Sequence, residues 1–157
     1  MCLILDSEAI EAKVAKKDIV CYKIVCREKK EGDIKYITPY RHNIISSGSN
    51  LSNVPVVAKF DGNEISDSNF KKGTIKTTYY DTFMIDGGAI HSFSNKKDAL
   101  REMNTFFKVF LEDDCKTYFL AECIIPKGTL YYTGISGGDR HKDYASRELI
   151  YKTIIDV

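Results

Sequence analysis

Apolar positions along the 157-residue chain follow two kinds of spacing. Between Asn95 and Glu112, the residues Ala99, Leu100, Met103, Phe106, Phe107, Phe110 and Leu111 recur at helical intervals in a stretch free of Gly and Pro. Polar Arg101, Glu102, Asn104, Thr105 and Lys108 fill the opposite face. Asn95 suits the N-cap, and Asp98 adds a carboxylate to the first turn, where the helix dipole favours it. The spacing predicts one long amphipathic helix, about residues 95–112, lying on something flat.

Elsewhere the chain is rich in Ile, Val, Tyr, Thr and Phe and is cut by turn residues, which predicts strands. The clearest are Ile19–Cys26, Val54–Phe60, Thr74–Tyr80, Ala89–Phe93, Thr117–Ile125, Leu130–Thr133 and Glu148–Ile155. The runs Ile19-Val20-Cys21-Tyr22 and Phe119-Leu120-Ala121 are apolar on both faces, which predicts central strands. Loops are expected over Ser46–Asn53, Asp61–Lys72, Asp86–Gly88 and Ile135–Asp143. Residues 1–17 carry only a thin pattern and read as a peripheral N-terminal segment. With no repeat and no linker, the expectation is a single α+β domain over 1–157: a strand-rich, mostly antiparallel sheet carrying one long helix.

Composition narrows the classes of function. At 43% hydrophobic and 29% charged the chain is globular. Twenty-three Lys and Arg face 22 Asp and Glu, so a net charge of +1 gives no field to concentrate nucleic acid or anionic lipid. The ten tyrosines are not interleaved with a dense basic stripe, which disfavours stacking of single-stranded nucleic acid. No run of about 18 apolar residues is present, so no membrane-spanning helix is expected. The start, Met1 to Asp6, lacks a basic region and a signal-length apolar core. Five cysteines without clustered spacing read as free thiols in a reducing compartment, so the expected location is the cytoplasm.

Several motifs touch chemistry. Gly134-Ile135-Ser136-Gly137-Gly138 matches the G-x-S-x-G elbow of serine hydrolases, but the charged residues that follow offer no apolar face for the helix such an elbow needs. A surface loop is the expectation. His42, His91 and His141 have no partner at metal-ligand spacing, so no metal is expected. Cys2, once exposed by removal of Met1, would be an N-terminal nucleophile, but the reading adopted is a small apolar residue tucked under the sheet. Cys21 and Cys26, five apart on one strand, should point to opposite faces. Tyrosines such as Tyr132 and Tyr144 combine ring area with a hydroxyl and are candidate ligand contacts.

The second half has an order of elements similar to mono-ADP-ribosyltransferases. The strand Ala89-Ile90-His91-Ser92-Phe93-Ser94 leads into the amphipathic helix, the buried strand Tyr118–Ile125 ends in Pro126-Lys127-Gly128-Thr129, and a late segment reads Tyr144-Ala145-Ser146-Arg147-Glu148. In that family a Ser-Thr-Ser strand precedes a helix and a late strand carries the catalytic glutamate. The resemblance implies an ADP-ribosyltransferase-like fold, NAD as cofactor and Glu148 as the glutamate that stabilises the charge developing as nicotinamide leaves. It also implies ligand-binding roles for His91, Ser92 and Ser94 along the first strand, and for Lys23 near the position that holds NAD. Ser146 stands where arginine-specific members place a second Glu or Gln.

The chain also resembles short uncharacterised proteins of gut bacteria and their phages, through its Met-Cys-Leu start, Asp18-Ile19-Val20-Cys21-Tyr22-Lys23, Thr38-Pro39-Tyr40-Arg41, Ile125–Tyr132 and Tyr144-Ala145-Ser146. This implies an accessory protein. The leading expectation is a non-catalytic cytoplasmic protein, without cofactor, that binds a nucleotide-like small molecule or a host or phage protein. An ADP-ribosyltransferase or NAD glycohydrolase using Glu148 is the second reading, and a virion structural or assembly protein the third.

Overall fold

Twelve consecutive residues, Ile19–Lys30, form the longest strand, and its neighbours determine the architecture. The computed structural model describes residues 3–5, 11–40, 42–72, 75–77, 83–85, 88–136 and 142–155. Among these, the strands are β1 (Leu3–Leu5), β2 (Lys13–Val14), β3 (Ile19–Lys30), β4 (Asp33–Ile37), β5 (Ile44–Ser47), β6 (Val54–Val57), β7 (Lys59–Phe60) and β8 (Asn63–Glu64). They continue with β9 (Ile75–Thr77), β10 (Phe83–Ile85), β11 (Ile90–Phe93), β12 (Lys116–Ile125), β13 (Leu130–Ser136), β14 (Lys142–Ser146) and β15 (Glu148–Ile155). Helix α1 spans Asp67–Lys72, α2 spans Lys96–Glu102, and a π-helix continues directly over Met103–Leu111.

Thirteen strands join one sheet in the order β6-β15-β12-β3-β11-β14-β13-β1-β10-β9, with β4 and β5 branching from β3 and β2 from β13. All its pairings are antiparallel, and β7 and β8 form a separate hairpin. The apolar runs predicted as central strands lie in β3 and β12, which pair from Ile19↔Ile125 to Glu28↔Lys116. The other edge of β3 is divided. Cys26 to Lys30 pair with β4, whereas β11 meets β3 only at Phe93↔Tyr22. Between these pairings, at Lys23 to Val25, the sheet forks.

Two faces bury separate clusters. Cys21, Val25, Ala121, Cys123, Leu149 and Tyr151 pack on one side with Tyr36 and Leu51, and β5 returns beside β6 to cover them through Ile45, Val54 and Val56. On the other side, Ile24, Cys26, Phe93, Tyr118 and Leu120 meet Ala99, Met103 and Phe107 of the helical stretch. Cys21 and Cys26 thus fall on opposite faces, as a five-residue separation requires. A third cluster joins Leu3, Leu5, Leu130, Tyr132 and Ala145 to Phe70 of α1.

The expectation of a long α-helix over about 95–112 packed on the sheet, in an ADP-ribosyltransferase-like α+β arrangement, is overturned. The chain is dominated by strands, and its helical stretch totals 16 residues, of which only the first seven are α-helical. Asn95 does cap α2, its side chain accepting the Lys97 amide at 2.7 Å. From Met103 the winding widens, because π-helical hydrogen bonds span five residues rather than four. In an α-helix Met103, Phe107 and Phe110 would share one face. Here Met103 and Phe107 are buried while Phe110 is 70% exposed, with Phe106 and Leu111 also turned outward.

This difference makes a measurable prediction. Phe107, 1% exposed and in ring contact with Tyr40, Phe106 and Tyr118, should cost about 3–5 kcal/mol when changed to Ala, as buried aromatics do. Phe110→Ala should change urea-unfolding stability by no more than about 0.5 kcal/mol, as exposed positions do. Equal losses at both sites would restore the α-helical register.

Candidate functional site

The fork in the sheet opens a cleft of about 800 Å³, within the range of small-molecule sites. β3 contributes Lys23 and Ile24 to its lining, β11 contributes Ile90 to Phe93, and Tyr40 follows β4. Pro55 to Ala58, Asp143 and Tyr151 complete the walls, with His42 and the Asp61-Gly62 turn at the mouth. Phe107 supports Tyr40 from beneath, ring centroids 5.4 Å apart and edge to face. Tyr40 itself is half-exposed, so it presents a ring at the rim.

Lys23 is the central group. Its ammonium donates to the His91 carbonyl at 2.5 Å, next to the single β3–β11 ladder pair. Burial pulls its pKa below the ordinary 10.5 because a charged ammonium is costly to desolvate. Cys21 and Cys123 stand on the same face of the sheet, directly opposite one another across β3 and β12. Burial raises both thiols, Cys21 to about 11 and Cys123 further, so near neutral pH neither supplies a thiolate to balance the lysine. Among the described residues Lys23 makes no ion pair with a carboxylate. Of its three donors, one is committed to His91.

Ser92 lies beside it, 4% exposed. The Ser92 hydroxyl faces the Cys21 sulfur, an interaction that lowers the thiol's pKa against the larger rise from burial, and it makes no hydrogen bond of full geometry among the described residues. Asp143 also lines the cleft, held on β14 opposite Phe93. Burial raises the phenols of Tyr144 and Tyr151, so both stay protonated through neutral pH.

Of the residues singled out from the sequence, Lys23, His91 and Ser92 come together in the cleft. Ser94 donates to the Lys142 carbonyl, and Tyr144 stands edge-on to Tyr131 at 5.9 Å. Tyr132 is bound to the carbonyls of Phe70 and Lys71 at 2.6 and 3.1 Å, which ties α1 to the sheet. Glu148 is outside the cleft lining and accepts Arg147 at 3.0 Å. Along β15 it pairs with Val57 while Tyr151, three residues on, pairs with Val54. An odd separation on a strand turns side chains to opposite faces, and Tyr151 is the one that faces the cleft.

Gly134, first residue of the G-x-S-x-G match, is a strand residue of β13 with β1 on one side and β14 on the other. A side chain there would overlap the Ile4 carbonyl, so close strand approach accounts for the glycine. Gly137, Gly138, His141 and Cys2 lie outside the described residues. Among the described residues no group of three His, Cys, Asp or Glu side chains could hold a metal ion, and no helix is long and apolar enough to cross a membrane. No protein-family model, curated protein or solved structure matches the chain.

Tyr40, His42, Asp143 and Tyr151 are among the cleft residues that were not singled out from the sequence. The Thr38-Pro39-Tyr40 segment entered the sequence reading only through a resemblance, and nothing in it announced the Phe107 contact 67 positions away.

Arg147 holds the floor of the mouth in place. Its guanidinium reaches Glu64 at 3.0 Å, Asp67 at 2.8 Å, Glu148 at 3.0 Å and the Ile65 carbonyl at 2.9 Å, and its own carbonyl accepts the Ala58 amide. These contacts fasten both ends of the β7–β8 hairpin. The carboxylates are largely exposed, so the ion pairs alone are weak, and the bond to Ile65 carries most of the effect. Arg147→Ala should therefore cost about 1–2 kcal/mol in denaturant unfolding and expose Lys59–Lys72 to limited trypsin digestion. Arg147→Lys, which keeps the charge without the planar fork, should recover only part of the protection. Unchanged digestion in the alanine variant would remove this role.

Proposed function

We propose that this protein binds a small anionic, nucleotide-like ligand in the fork cleft, and that it binds rather than turns over the ligand. The observation that carries the reading is Lys23, a buried amine that lines the cleft with one committed acceptor and, among the described residues, no carboxylate partner. Such a group is costly to keep buried, and an incoming phosphate or carboxylate offsets that cost through charge-assisted hydrogen bonds. The Ser92 hydroxyl supports the reading as a second polar contact. Tyr40 at the rim offers a ring on which a base or other planar group can stack. Glu148 has no part in this binding, since Arg147 engages its carboxylate on the other face of β15.

A thermal-shift panel of AMP, ADP, ATP, NAD and inorganic phosphate tests the proposal. At least one nucleotide should raise Tm in proportion to the logarithm of its concentration. Lys23→Met should weaken that ligand about 10- to 150-fold, the equivalent of one charged hydrogen bond, whereas Glu148→Gln should leave it unchanged. Affinity should also depend on pH in one direction. Anion binding needs the protonated lysine and the ionised ligand, so above the ligand's own pKa affinity is full and then falls as pH rises through the Lys23 pKa, which lies below 10.5. Calorimetric titration that shows no such decline, or one that persists in Lys23→Met, would count against Lys23 as the contact. Release of nicotinamide from NAD that Glu148→Gln abolishes would replace binding with the transferase reading.

A further inference from the structure

The β7–β8 hairpin brings a second lysine to the fork cleft. Lys59 belongs to the cleft lining, whereas Phe60, the next residue, lines a neighbouring cavity of about 490 Å³, as alternation along a strand requires. Among the described residues the hairpin pairs with no other strand, and every residue from Lys59 to Glu64 is exposed. Its turn is tight: Asp61 and Gly62 both have positive φ, 49° and 82°, as an Asp-Gly hairpin turn requires. The Ile65 amide closes its base by donating to the Ala58 carbonyl at 3.1 Å. Gly88, which lines both cavities at φ +66°, lets that base sit down, because a Cβ there would meet Ile65 Cδ1 at 2.4 Å. Lys59 is thus presented to the cleft by a short hairpin fixed at its base.

The charges around Lys59 decide what it can do. Glu64 is its cross-strand partner, and opposite charges so placed ordinarily pair. The Glu64 carboxylate instead accepts Arg147 at 3.0 Å, and among the described residues Lys59 makes no ion pair. The other ionisable groups of the lining, phenols apart, are Lys23, His91 and Asp143 inside and His42 and Asp61 at the mouth. Asp143 already has a partner within the protein, and no ion pair joins Asp61 to Lys59. The cleft therefore holds two lysines, one on β3 and one on the hairpin, with no carboxylate ion pair at either among the described residues. A ligand with one anionic group satisfies one of them, whereas two linked anionic groups satisfy both. Asp61 and Asp143 repel anions elsewhere in the lining, so the two lysines set where those groups lie.

We propose that the ligand of the cleft carries two linked anionic groups, a diphosphate within the nucleotide-like class, and that Lys59 selects it over a monophosphate. The inference rests on the cleft reading given above and adds to it a second cation and a narrower ligand. Lys59 is exposed, so its attraction is screened by salt and is weaker than that of the buried amine. Lys23 supplies most of the affinity, and Lys59 supplies the selectivity.

Calorimetric titration of the full chain with AMP, ADP, phosphate and pyrophosphate tests this. ADP should bind about fivefold more tightly than AMP, and pyrophosphate should exceed phosphate by a similar factor. Lys59→Ala, at a position whose exposure leaves folding intact, should lower ADP affinity about fivefold more than AMP affinity, and Lys59→Arg should keep the preference. Raising the salt concentration should narrow the ADP-to-AMP ratio more in the native chain than in Lys59→Ala. Equal affinity for ADP and AMP overturns the inference and leaves the cleft reading standing, as does a preference that Lys59→Ala does not reduce. Binding of none of the four overturns the inference, and overturns the cleft reading with it when ATP and NAD also fail to bind.

Discussion

Everything in this fold depends on how one edge of one strand is divided. β3 is long enough to pair with β12 along ten residues, and its other edge then has to satisfy twelve residues of backbone with two shorter strands. β4 takes the C-terminal part and β11 takes a single pair near Tyr22. Two strands leaving one edge in different directions cannot both continue the ladder, so the backbone between them lies open. A cleft at that point is a geometric consequence of the hydrogen-bonding pattern. It needs no large insertion or separate domain.

That constraint explains why a lysine can occupy the middle of an otherwise apolar strand. Tyr22, Ile24 and Val25 surround Lys23 in sequence, and its same-face neighbours Cys21 and Cys123 are fully buried. In an uninterrupted sheet the ammonium would have neither acceptor nor solvent. At the fork it has the His91 carbonyl and the open space of the cleft. The same parting lets Tyr40 swing over Phe107 and thereby couples the rim of the cleft to the helical stretch on the opposite face.

The sequence was legible where burial on both faces left no choice and illegible where distant segments met. The apolar runs in β3 and β12 announced central strands because both sides of each residue had to be covered. Asn95 announced a helix start because its side chain satisfies a local amide. Helical spacing through Phe110 misled for a physical reason: the apolar pattern fits an α-helix, and intrinsic propensity does not reveal the wider winding that buries Phe107 against Tyr40 and Tyr118 while leaving Phe110 outside. Strands β4 and β5 were missed although they pair with their sequence neighbours, because Asp33, Lys35, Ser46 and Ser47 leave little apolar signal in segments that are only partly buried. Of the candidate site, Lys23, His91 and Ser92 converge, whereas Glu148 was drawn away by its neighbour Arg147, an ion pair that sequence adjacency alone does not reveal.

The near balance of charge, +1 over the chain, takes on a different meaning once positions are known. Balance in total conceals two local imbalances. Lys23 is a buried amine in a cleft with no carboxylate ion pair among the described residues, and the helical stretch, of mixed charge itself, ends in the acidic run Glu112, Asp113 and Asp114. Low net charge keeps long-range steering weak, so selectivity at either place has to come from contacts at hydrogen-bond range. For the cleft this favours a ligand that brings its own negative charge into a desolvated site, where one ammonium counts for much more than it would on the surface.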